Sequence, residues 1–148
     1  MAQNINLMAV LNCSILKDRG AVMSQSAHFT LGNEAEIEDI GGGLKRQMLG
    51  YNHELMAVKI WFAEGAIGYN HAHRHSQVTY VVEGEFHFNI DGVTQILKPG
   101  DSCFIPPHAD HGATCPTGGI LIDTFSPARE DFVEEGAFDH IHNKENSA

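Results

Sequence analysis

The sequence predicts an all-β domain, a sandwich or a barrel, from three observations. Residues 55–62 carry apolar side chains at every second position, which is the period of a strand with one buried face. Short runs of the same kind follow at regular spacing, with Gly and Pro turns between them. Helical periodicity is missing until Ser126 and Pro127, where we expect one short helix that ends near Glu135.

The elements follow in a simple order along the chain. Gly41-Gly42-Gly43 lacks the spacing of a phosphate-binding loop and is interpreted as a turn that leads into a strand. Asp91-Gly92 joins two alternating runs and is a strong hairpin signal, because this dipeptide readily adopts the positive φ angles of a tight turn. We expect strands at residues 44–50, 55–62, 78–82, 86–90, 93–97, 102–105 and 120–125, with one more that begins at His111.

The expected domain covers residues 28–135, and it has a different kind of segment on each side. Residues 1–27 fit poorly with the strand pattern of the domain, and Met23 with the three residues after it resembles a second chain start. We interpret residues 1–27 as an N-terminal extension or as a strand that is swapped onto a neighbouring subunit. Residues 136–148 are polar and are expected to form a frayed tail.

The predicted strand at residues 78–82 is apolar on both faces. One face can line the barrel, but an isolated small barrel would leave Val78, Tyr80 and Val82 exposed on the other. We therefore expect a second subunit or a tail of the chain to cover that outer face. A homodimer is the favoured assembly.

The composition excludes several classes of partner. The 148 residues carry a formal charge of −10 and include nine Lys and Arg, whereas nucleic acids and anionic membranes bind basic surfaces. No apolar run in the sequence approaches the roughly 18 residues of a membrane span. Cys13, Cys103 and Cys115 are widely spaced and lack a disulfide framework, which favours reduced thiols in the cytoplasm.

Two histidines are the starting point for a functional interpretation. His71 and His73 are two residues apart, so an extended backbone would point both rings to one face, and Gln77 follows after a short gap. Two imidazoles and an amide oxygen form most of a metal site. The same pattern also occurs in polar loops whose histidines are only solvated. His75 shares the parity of the pair and is an alternative ligand, although its place in a turn favours a solvated or supporting role.

His111 supplies the ligand that this cluster lacks. It follows a Pro-rich turn, and it meets the first cluster only if the sheet folds back on itself. The chain resembles the two cupin motifs in order and spacing, at Gly65, His71, His73, Gln77 and Gly84 and then at Gly100, Pro106 and His111. The resemblance implies a cupin double-stranded β-helix, a jelly-roll barrel, with a divalent metal ion on His71, His73, Gln77 and His111.

The chain departs from the usual cupin pattern at three positions. Gln77 stands where Glu is commoner, His108 replaces a Gly and Cys115 replaces an Asn. Three neutral imidazoles and one neutral amide leave a divalent ion with its full charge, which favours polarisation of a substrate over redox cycling. This donor set does not identify the metal, because zinc, nickel, iron and manganese all bind such ligands.

A segment near the C-terminus indicates the reaction. Asp123 and Phe125 alternate onto one strand face, and Arg129 follows at the start of the expected helix. Alone, the acid and the base could form a rim ion pair that contributes little. However, the segment D-T-F-S-P-A-R-E-D-F at residues 123–132 resembles one in the KdgF family, cupins of pectin and alginate degradation, and the resemblance covers residues 42–132. It implies that Asp123, Phe125 and Arg129 are important for catalysis.

The same resemblance implies a substrate and a reaction. Members of the family convert 4,5-unsaturated monouronates, which lyases leave behind, into linear keto forms. In that chemistry Arg129 would bind the carboxylate through its planar fork, Asp123 would relay protons, and Phe125 would pack on the sugar face. Two alternatives are another small-molecule cupin enzyme, such as a metal-dependent oxygenase or isomerase, and a non-catalytic cupin that binds sugar acids.

Overall fold

The computed structural model describes residues 24–133 of the chain. Its strands are β1 Glu38–Gly41, β2 Leu44–Tyr51, β3 Met56–Phe62, β4 Ala66–His71, β5 Ser76–Glu83, β6 Phe86–Ile90, β7 Val93–Leu97, β8 Ser102–Ile105, β9 His111–Cys115 and β10 Gly119–Ser126. One 3₁₀ turn, Glu130–Phe132, comes after them. Residues 1–23 of the expected extension, and the whole of the expected tail, lie outside the described residues.

The strands form two antiparallel sheets, which confirms the predicted all-β jelly-roll barrel. One sheet has the strand order β1-β2-β3-β10-β5-β8, and the other has the order β4-β9-β6-β7. The chain changes sheets after β3, β4, β5, β7, β8 and β9, so strands that are neighbours in sequence often lie in opposite sheets of the barrel. β10 lies in the middle of the larger sheet and pairs with β3 on one side and β5 on the other.

The apolar core fills one part of the barrel. Phe62 and Phe86 meet edge to face with ring centroids 5.0 Å apart, and Val81 and Leu121 belong to the same buried cluster. Burial of each such side chain stabilises the fold by about 1.5–3 kcal/mol. Along β10 the next inward-facing residue after Leu121 is Asp123, since side chains alternate between the faces of a strand. The inner surface therefore changes from apolar at Leu121 to polar at Asp123. It becomes apolar again at Phe125, which belongs to a second buried cluster with Met56 and Val58.

The predicted helix from Ser126 to Glu135 is wrong for the residues that the structure describes. Ser126 is the last residue of β10, and its hydroxyl donates to the Glu54 carbonyl at 2.8 Å instead of capping a helix. Arg129 stays extended, with φ −71° and ψ 96°, and the helical residues described after it are the three of the 3₁₀ turn. Strand pairing and this side-chain hydrogen bond thus keep Ser126 in the sheet, so the helix expected at Ser126 and Pro127 does not begin there.

The sequence did not predict β1, which pairs with β2 across the glycine turn. Arg46 on β2 donates two hydrogen bonds to the Glu38 carboxylate on β1. The residues before β1 lie along β2 as well. The Ser26 N–H donates to the Tyr51 carbonyl at 2.9 Å, and the Gln47 amide donates to the backbone carbonyls of Gly32 and Ala35. These contacts tie residues 26–35 to the larger sheet.

The outer face of β5 is exposed in the described chain, as the sequence predicted. Val78, Tyr80 and Val82 are between 41% and 46% exposed, and Phe104 on the neighbouring strand β8 is 60% exposed. What covers this face stays a prediction. Among residues 24–133 there is no helix of the length and apolar character needed to cross a membrane.

Candidate metal centre and active site

Three histidines converge at one end of the barrel. His71 on β4 and His111 on β9 are direct cross-strand partners, and their ring centroids are 4.4 Å apart. The register shifts between Gly68 and His71, and this β-bulge turns His71 to the face that His111 occupies. His73 lies in the connection after β4, with its ring centroid 4.8 Å from that of His111. One ligand atom from each histidine lies within 4.8 Å of the others, a spacing that can hold a metal ion.

Backbone carbonyls orient all three rings. The Nδ1 atoms of His71, His73 and His111 lie 2.9, 3.2 and 2.9 Å from the carbonyl oxygens of Tyr69, His75 and Ala109. A neutral imidazole that donates from Nδ1 carries its lone pair on Nε2, which is the usual arrangement of a metal-binding histidine.

Burial keeps two of these rings neutral. It is the largest cause that lowers the pKa of His73, to about 4, and the charge of Arg129 adds to the effect. Burial also lowers the pKa of His111.

Two rings of this cluster, the half-buried His73 and the buried His111, lack a full set of hydrogen-bond partners among the described residues. The His111 Nε2 atom is buried and has no hydrogen-bond partner. His73 faces two acceptors, the His75 carbonyl 3.2 Å from Nδ1 and the Gln77 amide oxygen 3.0 Å from Nε2, but a neutral imidazole has one hydrogen for the two. One of these two contacts therefore lacks a hydrogen, and a cation beside Nε2 would satisfy the contact with Gln77. The donor set therefore fits a divalent metal ion.

Asp123 lies beside this cluster on the inner face of β10. Its cross-strand partner is Thr79, whose hydroxyl donates to Asp123 Oδ1 at 2.5 Å. Thr79 in turn accepts a hydrogen bond from the Gln77 amide nitrogen at 3.0 Å. Burial raises the pKa of Asp123 to about 6, against the opposing effects of these hydrogen bonds and of the Arg129 charge. A carboxyl with such a pKa can hold and release a proton near neutral pH.

Phe125 is a buried link between the histidines and Arg129. Its ring is 2% exposed and packs against the rings of His73 and Phe132 at centroid distances of 5.8 and 5.7 Å. The Arg129 guanidinium lies 5.4 Å from the Phe125 centroid. The expectation that Phe125 packs on a sugar face has little exposed ring surface to support it, and positioning of its neighbours is the role that these contacts favour.

Arg129 is held against aromatic rings and one carboxylate. Its guanidinium lies 4.4 Å from the Phe132 centroid, and it donates from Nε and Nη2 to the two Asp131 oxygens at 2.9 and 2.8 Å. These bonds are the largest cause that lowers the pKa of Asp131. The side chain is 13% exposed. Residues 24–133 provide no hydrogen-bond acceptor for the remaining N–H groups of the Arg129 guanidinium.

Comparisons with known proteins agree with this geometry. The cupin domain family matches residues 60–122. The pectin degradation protein KdgF of Dickeya dadantii is 40% identical over 107 residues, which are 71% of this chain and 97% of that protein. The chain belongs to the KdgF family of cupins.

Solved structures agree with that assignment. KdgF from Halomonas sp. is 35% identical to this KdgF-family chain and matches 73% of it and all of that chain, with a TM-score of 0.70. An RmlC-like cupin from Shewanella frigidimarina is 78% identical and matches 75% of this chain and all of that one, with a TM-score of 0.75.

The structure brings the residues predicted from the sequence together. It confirms that His71, His73 and His111 cluster as a site able to hold a metal ion. Gln77 and Asp123 adjoin this cluster through hydrogen bonds, and Phe125 and Arg129 adjoin it through ring contacts. The roles of these four in the KdgF-family chain stay predictions.

Sequence reasoning missed a polar link between the metal-ligand loop and the 3₁₀ turn. Arg74 donates to both Glu130 carboxylate oxygens at 3.0 Å, and His75 Nε2 lies 3.2 Å from the same carboxylate. His75 thus faces Glu130 and is not part of the histidine cluster, which agrees with the supporting role favoured for it. Residues 55 positions apart in sequence carry no local signal of such a contact. Thr79 was missed as well, although it is two residues after Gln77 and shares its face.

Proposed function

We propose that this KdgF-family chain is a metal-dependent enzyme that converts 4,5-unsaturated monouronates, released by pectin or alginate lysis, into linear keto forms. The observation that carries this proposal is the juxtaposition of Asp123 and Arg129 with the histidine cluster. An acid that can exchange a proton and a fork that can bind a carboxylate then adjoin the same metal centre. The Dickeya relative, named for pectin degradation, supports the same class of substrate.

The metal centre would use His71, His73, Gln77 and His111. The three imidazole lone pairs and the Gln77 amide oxygen are directed to one region. A bound divalent cation would supply a Lewis acid that polarises an oxygen of the substrate. The neutral ligands leave the charge of that cation uncompensated, so the pocket can hold an anion inside a chain whose formal charge is −10.

Arg129 would bind the substrate carboxylate. Asp131 occupies one edge of the guanidinium and fixes its plane, while Phe132 packs on its face. The N–H groups left over can donate in parallel to a carboxylate, which is the geometry that makes such pairs strong. Phe125 would set the distance between this fork and His73, because it contacts both.

Asp123 would act as the general acid and then as the general base. Ring opening needs a proton at one alkene carbon, water at the adjacent carbon that bears the ring oxygen, and then cleavage of the bond from that carbon to the ring oxygen. A carboxyl with a pKa of about 6 is protonated in part at neutral pH and can deliver the first proton. As the resulting carboxylate it can take the proton from the incoming water, so the acid is restored. When the bond to the ring oxygen breaks, the new hydroxyl loses a proton as it becomes the keto oxygen, and the ring oxygen gains one as it becomes a hydroxyl.

An absorbance assay tests the reaction. The conjugated alkene absorbs in the ultraviolet, and its loss is measured with a purified unsaturated monouronate in the presence and absence of the protein. We expect wild type to accelerate the loss, Asp123→Ala to approach the spontaneous rate, and the exposed control Glu64→Ala to match wild type. No acceleration by wild-type protein would refute the proposed reaction and leave a non-catalytic cupin as the alternative.

Metal content tests the centre separately. Wild-type protein, the exposed control Glu64→Ala and His111→Ala are analysed for bound metal after purification from the same medium. We expect about one ion per chain in the first two proteins and a large loss in His111→Ala, because its Nε2 has no other partner. Unchanged metal in the His111 variant would remove this residue from the ligand set.

A further inference from the structure

Thr79 joins the proposed metal centre to Asp123 through two hydrogen bonds and is fully buried. Its hydroxyl accepts from Gln77 Nε2 at 3.0 Å and donates to Asp123 Oδ1 at 2.5 Å. We propose that Thr79 is a positioning residue that makes the Gln77 amide face the histidines with its oxygen. This inference rests on the proposed metal centre and adds the reason why an amide occupies position 77.

The orientation of the amide depends on a count of hydrogens. A threonine hydroxyl has one hydrogen, and the short contact with Asp123 places it on that side when Asp123 is ionised, since a carboxylate only accepts. Whatever group of residue 77 faces the hydroxyl oxygen must therefore donate to it. In glutamine only the NH₂ group donates, so the NH₂ faces Thr79 and the carbonyl oxygen faces His73.

The direction of the amide decides whether Gln77 can be a ligand. With the oxygen toward His73, a lone pair points to the region where the imidazole lone pairs meet. A reversed amide would direct N–H hydrogens there, and a nitrogen donor cannot bind a cation. Without the Thr79 hydroxyl the amide loses the acceptor 3.0 Å away that holds it in the productive direction and keeps only its hydrogen bond to Asp123. The reversed form can then hydrogen-bond His73 Nε2 instead.

The single hydrogen of the Thr79 hydroxyl also makes a carboxylate less suitable than an amide at position 77. Glutamate would place two acceptors, residues 77 and 123, around a single hydroxyl hydrogen. One of the two carboxylates would be left without a donor, and like charges at that spacing oppose joint ionisation. Gln77 satisfies the hydroxyl and supplies the ligand oxygen at once.

The first test measures zinc affinity by competition with a chromophoric chelator. Thr79→Val keeps the shape and removes the hydroxyl, and Thr79→Ser is the matched control that keeps it. We expect Thr79→Val to bind Zn²⁺ at least about tenfold more weakly than wild type, the usual scale for residues that orient metal ligands. Thr79→Ser should stay within about threefold. Equal affinity of folded Thr79→Val and wild type would overturn the proposal.

The second test needs no metal. In chelator-treated protein labelled with ¹⁵N, the Gln77 side-chain amide protons should exchange with water slowly in wild type and Thr79→Ser, and much faster in Thr79→Val. Equal exchange in wild type and Thr79→Val would overturn the assigned orientation. If wild type shows the slow exchange but binds no Zn²⁺, the metal centre fails while the hydrogen bond stands, so the two failures are distinguishable.

Asp123→Ala provides the same test if Thr79→Val does not fold. Removing the carboxylate frees the Thr79 hydroxyl hydrogen and also removes the hydrogen bond between Gln77 and Asp123, so the amide can reverse. Zinc binding should again weaken and Gln77 exchange should again speed up. Wild-type values for both measurements in Asp123→Ala would overturn the role assigned to Thr79.

Discussion

The buried carboxyl of Asp123 makes the stability of the metal-free protein depend on pH. Its pKa is about 6 in the fold and 3.8 as the reference value, so ionisation is harder in the folded state than in the unfolded state. The protonated carboxyl contributes fully below pH 3.8, and this contribution is lost as the pH rises through about 6. Each pH unit between the two values corresponds to about 1.36 kcal/mol, which gives a total of about 3 kcal/mol.

Asp123→Asn removes this titration and keeps the size of the side chain. Asparagine is uncharged at every pH, so the variant should gain stability relative to wild type as the pH rises. We expect the difference in free energy of unfolding to increase by about 2–3 kcal/mol between pH 4 and pH 7. Any constant offset from the altered bond to Thr79 cancels in that difference.

The measurement is urea unfolding of chelator-treated proteins at a series of pH values. Metal must be absent, because a nearby cation would favour the ionised carboxyl and reduce the effect. Glu64→Gln, an acid-to-amide change at an exposed position, is the matched control and should stay parallel to wild type. Parallel curves for wild type and Asp123→Asn would refute the reasoning, because they would mean that Asp123 ionises as easily in the fold as outside it.

Three further variants test separate contacts. Arg129→Lys keeps the charge but loses the planar fork, so KM for an unsaturated monouronate should rise about tenfold, close to the loss of one charge-assisted hydrogen bond; an unchanged KM would contradict carboxylate binding by Arg129. Glu130→Gln weakens a half-exposed ion pair with Arg74 that is worth about 0–1 kcal/mol, so KM should rise less than about fivefold with zinc affinity unchanged; a tenfold loss of zinc affinity would contradict this. Tyr80→Glu should convert a homodimer to monomers in sedimentation velocity, because it puts charge on the exposed face of β5; a monomeric wild type would refute the predicted dimer.

Local patterns predicted most of the fold. Alternation and turn residues placed most strands to within one or two residues, because the buried face of a strand repeats every second position. β1 was not predicted, because its four residues are all exposed and show no alternation of buried and exposed side chains. The expected helix failed because Ser126 continues the ladder of β10, where it pairs with Ser76, and tertiary pairing outweighed the local signal of Ser126-Pro127.

The parts of the candidate site that depend on short spacing along the sequence were predictable. The parts that depend on which distant residues the fold brings together were not. His71, His73 and His111 carry recognisable spacing, whereas the contact of Arg74 with Glu130 joins residues 56 positions apart. The burial of Phe125 could not be foreseen either. Its ring packs against Phe132, which lies in the 3₁₀ turn, and the sequence predicted a longer helix there.

β10 makes the core and the site depend on one another. Leu121, Asp123 and Phe125 share the inner face of this strand, and pairing on both sides fixes their register. A slip by one residue would turn all three outward, and a slip by two would move Asp123 away from Thr79 and bring it opposite Gln77 or Val81. The burial of Leu121 in the apolar core therefore opposes every register in which Asp123 loses Thr79. Stability of the core and placement of the acid beside the metal centre are in this sense one property of the strand.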